Sequence, residues 1–165
     1  MIILVMGVAG SGKTTIGQML AKSLNWHFAD ADSFHSQDNI AKMMDGVPLT
    51  DADRIPWLQA IQATIQQWLQ NHQNAVLACS ALKAEYRQFL LFDEEHIKLV
   101  YLKGSFQTIQ KRLQQRQNHF MNETLLQSQF DTLEEPKNSI IIDVSQSPEA
   151  IVQHIIKSSD IFPNI

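Results

Sequence analysis

The stretch Gly7-Val8-Ala9-Gly10-Ser11-Gly12-Lys13-Thr14 follows directly on the apolar run Ile2-Ile3-Leu4-Val5-Met6. It matches the pattern G-x-x-x-x-G-K-[ST], in which glycines let backbone N–H groups turn inward around a polyphosphate. In such a loop the lysine reaches the β- and γ-phosphates, and the final hydroxyl binds Mg²⁺. An ordinary glycine-rich turn is the alternative, but the pattern rarely arises by chance between a strand and a helix. The sequence therefore predicts a phosphate-binding loop at the end of a buried strand.

The composition describes an ordinary globular chain. It has 165 residues, of which 44% are hydrophobic and 18% charged, and the length fits one domain, residues 1–165. The formal net charge of −4 argues against a general nucleic-acid binder, which needs a basic face. Cys79 is the only cysteine, so we expect a reducing cytoplasm and no intramolecular disulfide. The apolar run is too short to span a membrane, and it lacks the basic lead-in of a signal peptide.

Strand and helix patterns alternate along the chain. Helical spacing of apolar residues predicts a helix from Lys13 to about Leu24, packed against the sheet. Further strands are expected over 26–30, 75–79, 97–102 and 140–143, with helices between them and a closing helix over 148–157. Such alternation predicts a parallel sheet covered by helices on both faces.

Two segments interrupt this alternation. Two helices are expected after the second strand, without a strand between them. The first is short, over 33–45, and is closed by Gly46; the second is longer, is capped near Thr50 and has Pro56 near its first turn. We expect them to form a cap over the substrate side, about residues 33–72. A polar run within about 114–128 is expected to form a lid.

Asp30 and Asp32 follow the loop and end the second predicted strand. Residues two apart on a strand point to the same side, and ligands of parallel sheets collect at the carboxyl ends of strands. One carboxylate could organise the water around Mg²⁺, and the other could accept a proton from a hydroxyl. A simple capping turn is the alternative. The guanine motif and switch motif of GTP-binding proteins are absent from the sequence, which favours a kinase.

Several blocks together resemble the gluconokinases, small ATP-dependent kinases of the shikimate-kinase-like group of P-loop proteins. The most specific blocks are Asp51-Ala-Asp-Arg-Ile-Pro-Trp-Leu58 and Cys79-Ser-Ala-Leu-Lys83, the latter with Tyr86-Arg87. The others cover residues 7–15, 30–35, 39–43, 46–49 and 101–104, and the similarity runs to about residue 145. The resemblance implies an α/β three-layer sandwich around a five-stranded parallel sheet in the order 2-3-1-4-5.

The resemblance also implies transfer of the γ-phosphoryl group of ATP, with Mg²⁺, to the terminal hydroxyl of D-gluconate, giving 6-phospho-D-gluconate. Asp32 would act as the base, Lys13 and Arg116 would assist, Thr14 would bind Mg²⁺, and Asp30 would hold it through water. The residues expected to bind nucleotide are Gly7, Val8, Ala9, Gly10, Ser11, Gly12, Lys13, Thr14, Thr15, Arg112 and Arg116. Those expected to bind gluconate are Asp32, His35, Arg54, Lys83, Arg87, His119 and Gln129.

Simpler interpretations stay open for these side chains. Each cation could be a solvated surface charge, and His119 and Gln129 could be an exposed histidine and a surface glutamine. The whole chain could be a kinase for another small polyol or hydroxy acid, such as a shikimate-like acceptor, or a non-catalytic regulatory module that binds ATP. Similar enzymes are commonly dimers, so we expect a homodimer without nucleic-acid or membrane partners.

Overall fold

The computed structural model describes residues 1–116 and 123–161. Its strands are β1 Ile2–Met6, β2 His27–Asp30, β3 Ala75–Ala78, β4 Ile97–Lys103 and β5 Ile140–Asp143. Its helices are α1 Lys13–Leu24, α2 Gln37–Met44, α3 Asp51–Gln70, α4 Ala84–Leu90, α5 Phe106–Gln115, α6 Glu123–Thr132 and α7 Pro148–Ser158. No helix in these described ranges is long and apolar enough to cross a membrane.

The strands form one parallel sheet in the order β2-β3-β1-β4-β5, which confirms the expected fold class. β1 lies at the centre, and its Val5 is paired with Ala78 of β3 on one side and Val100 of β4 on the other. Strand ends differ from the sequence prediction by no more than a residue. The apolar run before the phosphate loop is therefore the axis of the fold.

β1 is buried on both faces because helices cover both sides of the sheet. Ile3 and Val5 pack into a core with α1, α5 and α7, whereas Leu4 and Met6 pack into a second core with α3 and α4. Every β1 side chain is fully buried, as a central parallel strand requires. This packing fixes the position of the phosphate loop, which starts directly after Met6.

One sequence prediction about this edge of the sheet is wrong. Asp30 ends β2, but Asp32 lies in a 3₁₀ turn, Ala31–Phe34, and not on the strand. The Asp30 carboxylate accepts a hydrogen bond from the Asp32 backbone N–H, 3.0 Å away, and so caps this turn. The capping alternative is thus correct for Asp30, and the turn brings Asp32 beyond the end of the strand.

The cap segment contains two α-helices after this turn. The single helix predicted over 33–45 is divided, because the Ser36 side chain accepts from the Asn39 N–H and starts α2 separately. Gly46 takes a left-handed conformation, φ 73°, as predicted for a helix C-terminus. Thr50 and Asp53 form a reciprocal capping box that starts α3. Pro56 lies inside α3, past the first turn where we expected it.

We predict that Thr50→Ala lowers the free energy of unfolding by about 1 kcal/mol, because it removes the N-cap acceptor of α3. For a chain of this size the Tm should fall by about 3 °C. Thr64→Ala in the same helix is the matched control, since the Thr64 hydroxyl only bonds back to the Ala60 carbonyl. Urea and thermal unfolding measure both effects. Equal losses in the two variants would contradict the capping role.

Candidate active site

The backbone of the phosphate loop has the conformation that the sequence pattern requires. Gly10 and Gly12 have φ values of 79° and 98°, in a region that residues with a side chain rarely adopt. A Cβ at Gly10 would also lie 2.7 Å from a terminal carbon of Leu113. Gly12 is the N-cap residue of α1. It provides no side-chain cap, and the first turn of the helix contains no acidic residue. Its N-terminal N–H groups and its dipole therefore offer a site for an anion.

The ammonium group of Lys13 lies against this loop. Its Nζ donates to the Val8 carbonyl at 3.0 Å. Burial lowers the pKa of Lys13, the carboxylates of Asp32 and Asp30 oppose this shift, and the Arg116 charge adds to it. Arg116 is therefore close enough to act on Lys13, although its extended backbone places it just past the end of α5 and not on a continuous helix face.

Thr14 and Asp30 form the part of the site suited to a metal ion. The Thr14 hydroxyl donates to an Asp30 carboxylate oxygen at 2.7 Å, while the other carboxylate oxygen caps the 3₁₀ turn. A hydroxyl and a carboxylate beside a phosphate loop fit Mg²⁺, which prefers oxygen ligands and keeps several waters. The same pair links the start of α1 to the turn that carries Asp32.

Asp32 lies in the 3₁₀ turn next to this site, at an exposed position. Burial and the neighbouring Asp30 carboxylate raise the pKa of Asp32, and Lys13 lowers it. The charge of each residue shifts the pKa of the other, so Lys13 and Asp32 lie near each other. A carboxylate with a raised pKa near a phosphate loop is chemically suited to take a proton from a hydroxyl.

His35 lies on the cap side of Asp32, in a cleft of about 680 Å³ between α2 and α3. Its ring stacks on Trp57 at 4.5 Å between centroids and 8° between planes. Trp57 is held by a hydrogen bond from its Nε1 to the Ala31 carbonyl, 2.7 Å away, and Asn39 Nδ2 lies 3.4 Å from the His35 ring nitrogen. Burial and the Arg54 charge lower the pKa of His35 to about 4. His35 is therefore neutral at pH 7.

Arg54 and Lys83 meet at Tyr86, and with Asp51 these residues form what we call the Tyr86 cluster. Both cations lie over the Tyr86 ring, at 5.7 and 5.6 Å from its centroid. Arg54 donates to the Tyr86 hydroxyl, which donates to Asp51, and Lys83 Nζ donates to Asp51 at 2.8 Å. The cluster joins the first turn of α3 to the start of α4 and concentrates positive charge there.

Two arginines that the sequence predicted as ligands, Arg87 and Arg112, donate to backbone carbonyls. Arg87 is buried, and its guanidinium donates to the backbone carbonyls of Ala81, Leu82 and Glu134, so its contacts are those of a structural residue. Arg112 donates to the Val144 carbonyl after β5.

Gln129 makes a contact different from the one we expected for a gluconate ligand. The Gln129 side chain accepts a hydrogen bond from the Ala9 N–H at 2.7 Å and thus contacts the phosphate loop. His119 and part of the expected lid lie outside the described residues.

The chain matches the family model described as "Shikimate kinase" over residues 9–160. A "Probable gluconokinase" of Dictyostelium discoideum is 44% identical over 94% of this chain and 84% of its own length. A "Gluconokinase" of Arabidopsis thaliana is 43% identical over 94% of this chain and 90% of its own. The chain belongs to the gluconokinase family. A crystal structure of a gluconokinase from Sinorhizobium meliloti 1021, 39% identical, superposes with a TM-score of 0.83 over 94% of this chain and 89% of that one.

The sequence did not identify every residue that shapes this gluconokinase-family site. Asp51 and Tyr86 lay in the blocks that carried the resemblance, but no local pattern showed that they would form a cluster with Arg54 and Lys83. Asn39 lay in the block 39–43 and was given no role, yet it is buried and donates to the Asp53 carbonyl at 2.9 Å. These contacts join distant segments, so spacing along the chain gives no signal for them.

We predict that His35 makes folding stability depend on pH. Because its pKa is about 4 in the folded chain and ordinarily 6.5, protonation favours the unfolded state, and stability is lost as the pH falls through this window. His35→Gln should therefore flatten the dependence of the urea midpoint on pH between these two values. His154→Gln, at an exposed position of α7, is the control. An unchanged slope for His35→Gln would contradict the assignment.

Proposed function

We propose that the protein transfers the γ-phosphoryl group of ATP to the terminal hydroxyl of D-gluconate, giving ADP and 6-phospho-D-gluconate. The observation that carries the proposal is the contact made by the Asp30 carboxylate, which accepts from the Thr14 hydroxyl at 2.7 Å and from the Asp32 backbone N–H at 3.0 Å and so holds the Asp32 turn beside the phosphate loop. A nucleotide held by the loop and a hydroxyl held by Asp32 would meet there. The names of the relatives supply the choice of acceptor.

In the proposed reaction Asp32 accepts the proton of the acceptor hydroxyl, while the oxygen of that hydroxyl forms a bond to the γ-phosphorus. The bond between that phosphorus and the β–γ bridging oxygen breaks in line, and the electron pair leaves with ADP. Lys13 and the N-terminus of α1 stabilise negative charge on the phosphates, and Arg116 adds a third source of positive charge. Mg²⁺, held by Thr14 and through water by Asp30, would neutralise phosphate charge when bound.

The Tyr86 cluster suits the other end of the sugar acid. Arg54 presents a planar guanidinium, which binds a carboxylate through two parallel hydrogen bonds, and Lys83 adds a second positive charge. His35 is neutral at pH 7, so we assign it to a hydroxyl of the polyol and not to the carboxylate. Because Arg87 is occupied by three backbone carbonyls, we leave it out of the proposed acceptor site.

Three further expectations stay predictions. Arg112 is proposed to approach the nucleotide from the β5 side, where it contacts the Val144 carbonyl. The expected homodimer rests on family resemblance. The expected cytoplasmic location rests on Cys79, which is the single cysteine of the sequence and is buried and unpaired.

A panel of acceptors tests the proposed function directly. With MgATP present, D-gluconate should stimulate ADP release strongly, whereas shikimate and neutral polyols of similar length should not, because they lack the matching carboxylate or chain. Turnover with a different acceptor only would replace gluconate as the substrate. ADP release that no acceptor stimulates would favour the non-catalytic module.

We predict that Asp32→Asn lowers kcat by about 10²- to 10⁴-fold, because a general base contributes about that much. Nucleotide binding should persist, since the phosphate loop is unchanged, and calorimetry with ADP measures it. The acid limb of kcat/KM in the unchanged protein should lie above the ordinary carboxyl value of 3.8, because the pKa of Asp32 is raised. Asp160→Asn, at an exposed left-handed position that asparagine tolerates, is the control. Near-normal turnover of Asp32→Asn would remove Asp32 as the base.

A further inference from the structure

The peptide unit between Val8 and Ala9 is hydrogen-bonded on both of its edges. Its carbonyl accepts from Lys13 Nζ at 3.0 Å and from the Ser11 N–H at 3.2 Å. Its N–H donates to the side-chain oxygen of Gln129 at 2.7 Å. Because a trans peptide directs its C=O and N–H to opposite sides, Lys13 and Gln129 hold this unit from opposite directions.

Gln129 reaches the loop from α6, a helix that follows the phosphate loop by more than a hundred residues. Leu126, one turn earlier, is fully buried, and the ring of Phe130 lies edge-on to that of Phe106 at 5.4 Å. After α6, the Glu134 N–H donates to the Leu82 carbonyl at 2.9 Å. The helix is thus fixed against α5 and against the chain after β3, and Gln129 meets the loop from a rigid support.

We infer that Gln129 is a positioning residue for the nucleotide: it holds the Val8–Ala9 peptide in the orientation that turns its carbonyl toward Lys13. The unit precedes Gly10, and a glycine restricts the neighbouring backbone less than other residues do because it has no Cβ. A reversed peptide would direct its N–H at the Lys13 ammonium and would turn its carbonyl oxygen away from it. An acceptor at the Ala9 N–H favours the observed orientation over the reversed one.

Gln129 therefore belongs to the nucleotide side of the site and not to the acceptor side, where we expected it from the sequence. Lys13 is the residue that reaches the β- and γ-phosphates, so the order of the peptide beside it governs phosphate binding. Loss of the Gln129 oxygen should weaken nucleotide binding and leave the affinity for the acceptor unchanged. The inference rests on the nucleotide half of the proposed function and is independent of which acceptor is used.

Two variants and a matched control test this role. Gln129→Met keeps the size of the side chain and removes the acceptor, and Gln129→Ala removes it with a residue that favours helix. Gln127→Met and Gln127→Ala are the controls on the same helix, because the Gln127 amide is exposed and donates to Asp131 at 2.8 Å. Thermal unfolding of all four variants identifies any that are not folded.

The dissociation constants for ADP and for a non-hydrolysable ATP analogue are measured by calorimetry without acceptor, and the KM for gluconate is measured at saturating ATP. We expect both Gln129 variants to bind the nucleotides about 3- to 10-fold more weakly, as the loss of one hydrogen bond predicts. The KM for gluconate and the Gln127 controls should not change. A raised KM for gluconate with unchanged nucleotide affinity would overturn the inference. A lowered Tm with unchanged dissociation constants for ADP and for the ATP analogue would overturn it as well. Absence of gluconate turnover in the unsubstituted protein would instead refute the proposed function.

Discussion

The Asp30 carboxylate makes the contact on which the geometry of the site depends. One of its oxygens accepts from the Thr14 hydroxyl, and the other accepts from the backbone N–H of Asp32. A single side chain at the end of β2 therefore connects the first turn of α1 with the turn that carries the proposed base. Because β2 and β1 belong to one parallel sheet, this connection has a rigid support, and the sheet sets the distance between the phosphate loop and the Asp32 turn.

Charge is distributed over the site in a graded way. Lys13 and Asp32 carry opposite charges at the phosphate end. Burial lowers the pKa of Lys13 and raises that of Asp32, so it favours the neutral form of each. At the far end, Lys83 pairs with the largely exposed Asp51, and Arg54 donates to the Tyr86 hydroxyl. His35 is neutral at pH 7, because burial and the Arg54 charge lower its pKa to about 4. This arrangement places a neutral imidazole near a cationic side chain.

The sequence predicted the fold well because two strong signals agreed. The glycine pattern fixed the loop and the helix after it, and the alternation of apolar strands and helices fixed a parallel sheet. The sequence could not show that Asp32 leaves the strand, because the 3₁₀ turn depends on the Asp30 side chain accepting from a backbone N–H. Likewise, Arg54 and Arg87 both looked like candidate ligands, and only tertiary contacts separate them: one lies over Tyr86, the other among carbonyls.

The central place of β1 has a consequence for how the protein becomes functional during synthesis. Its first residue pairs with Ala75 and Ile97, which are translated long after it. Contacts between such distant segments form slowly, since the intervening chain must first be ordered. The glycine loop leaves the ribosome before β3 and β4, so its supporting strand has no neighbours in the sheet until these two strands have emerged. A nascent chain therefore gains the ability to retain a nucleotide only after β4 has been made.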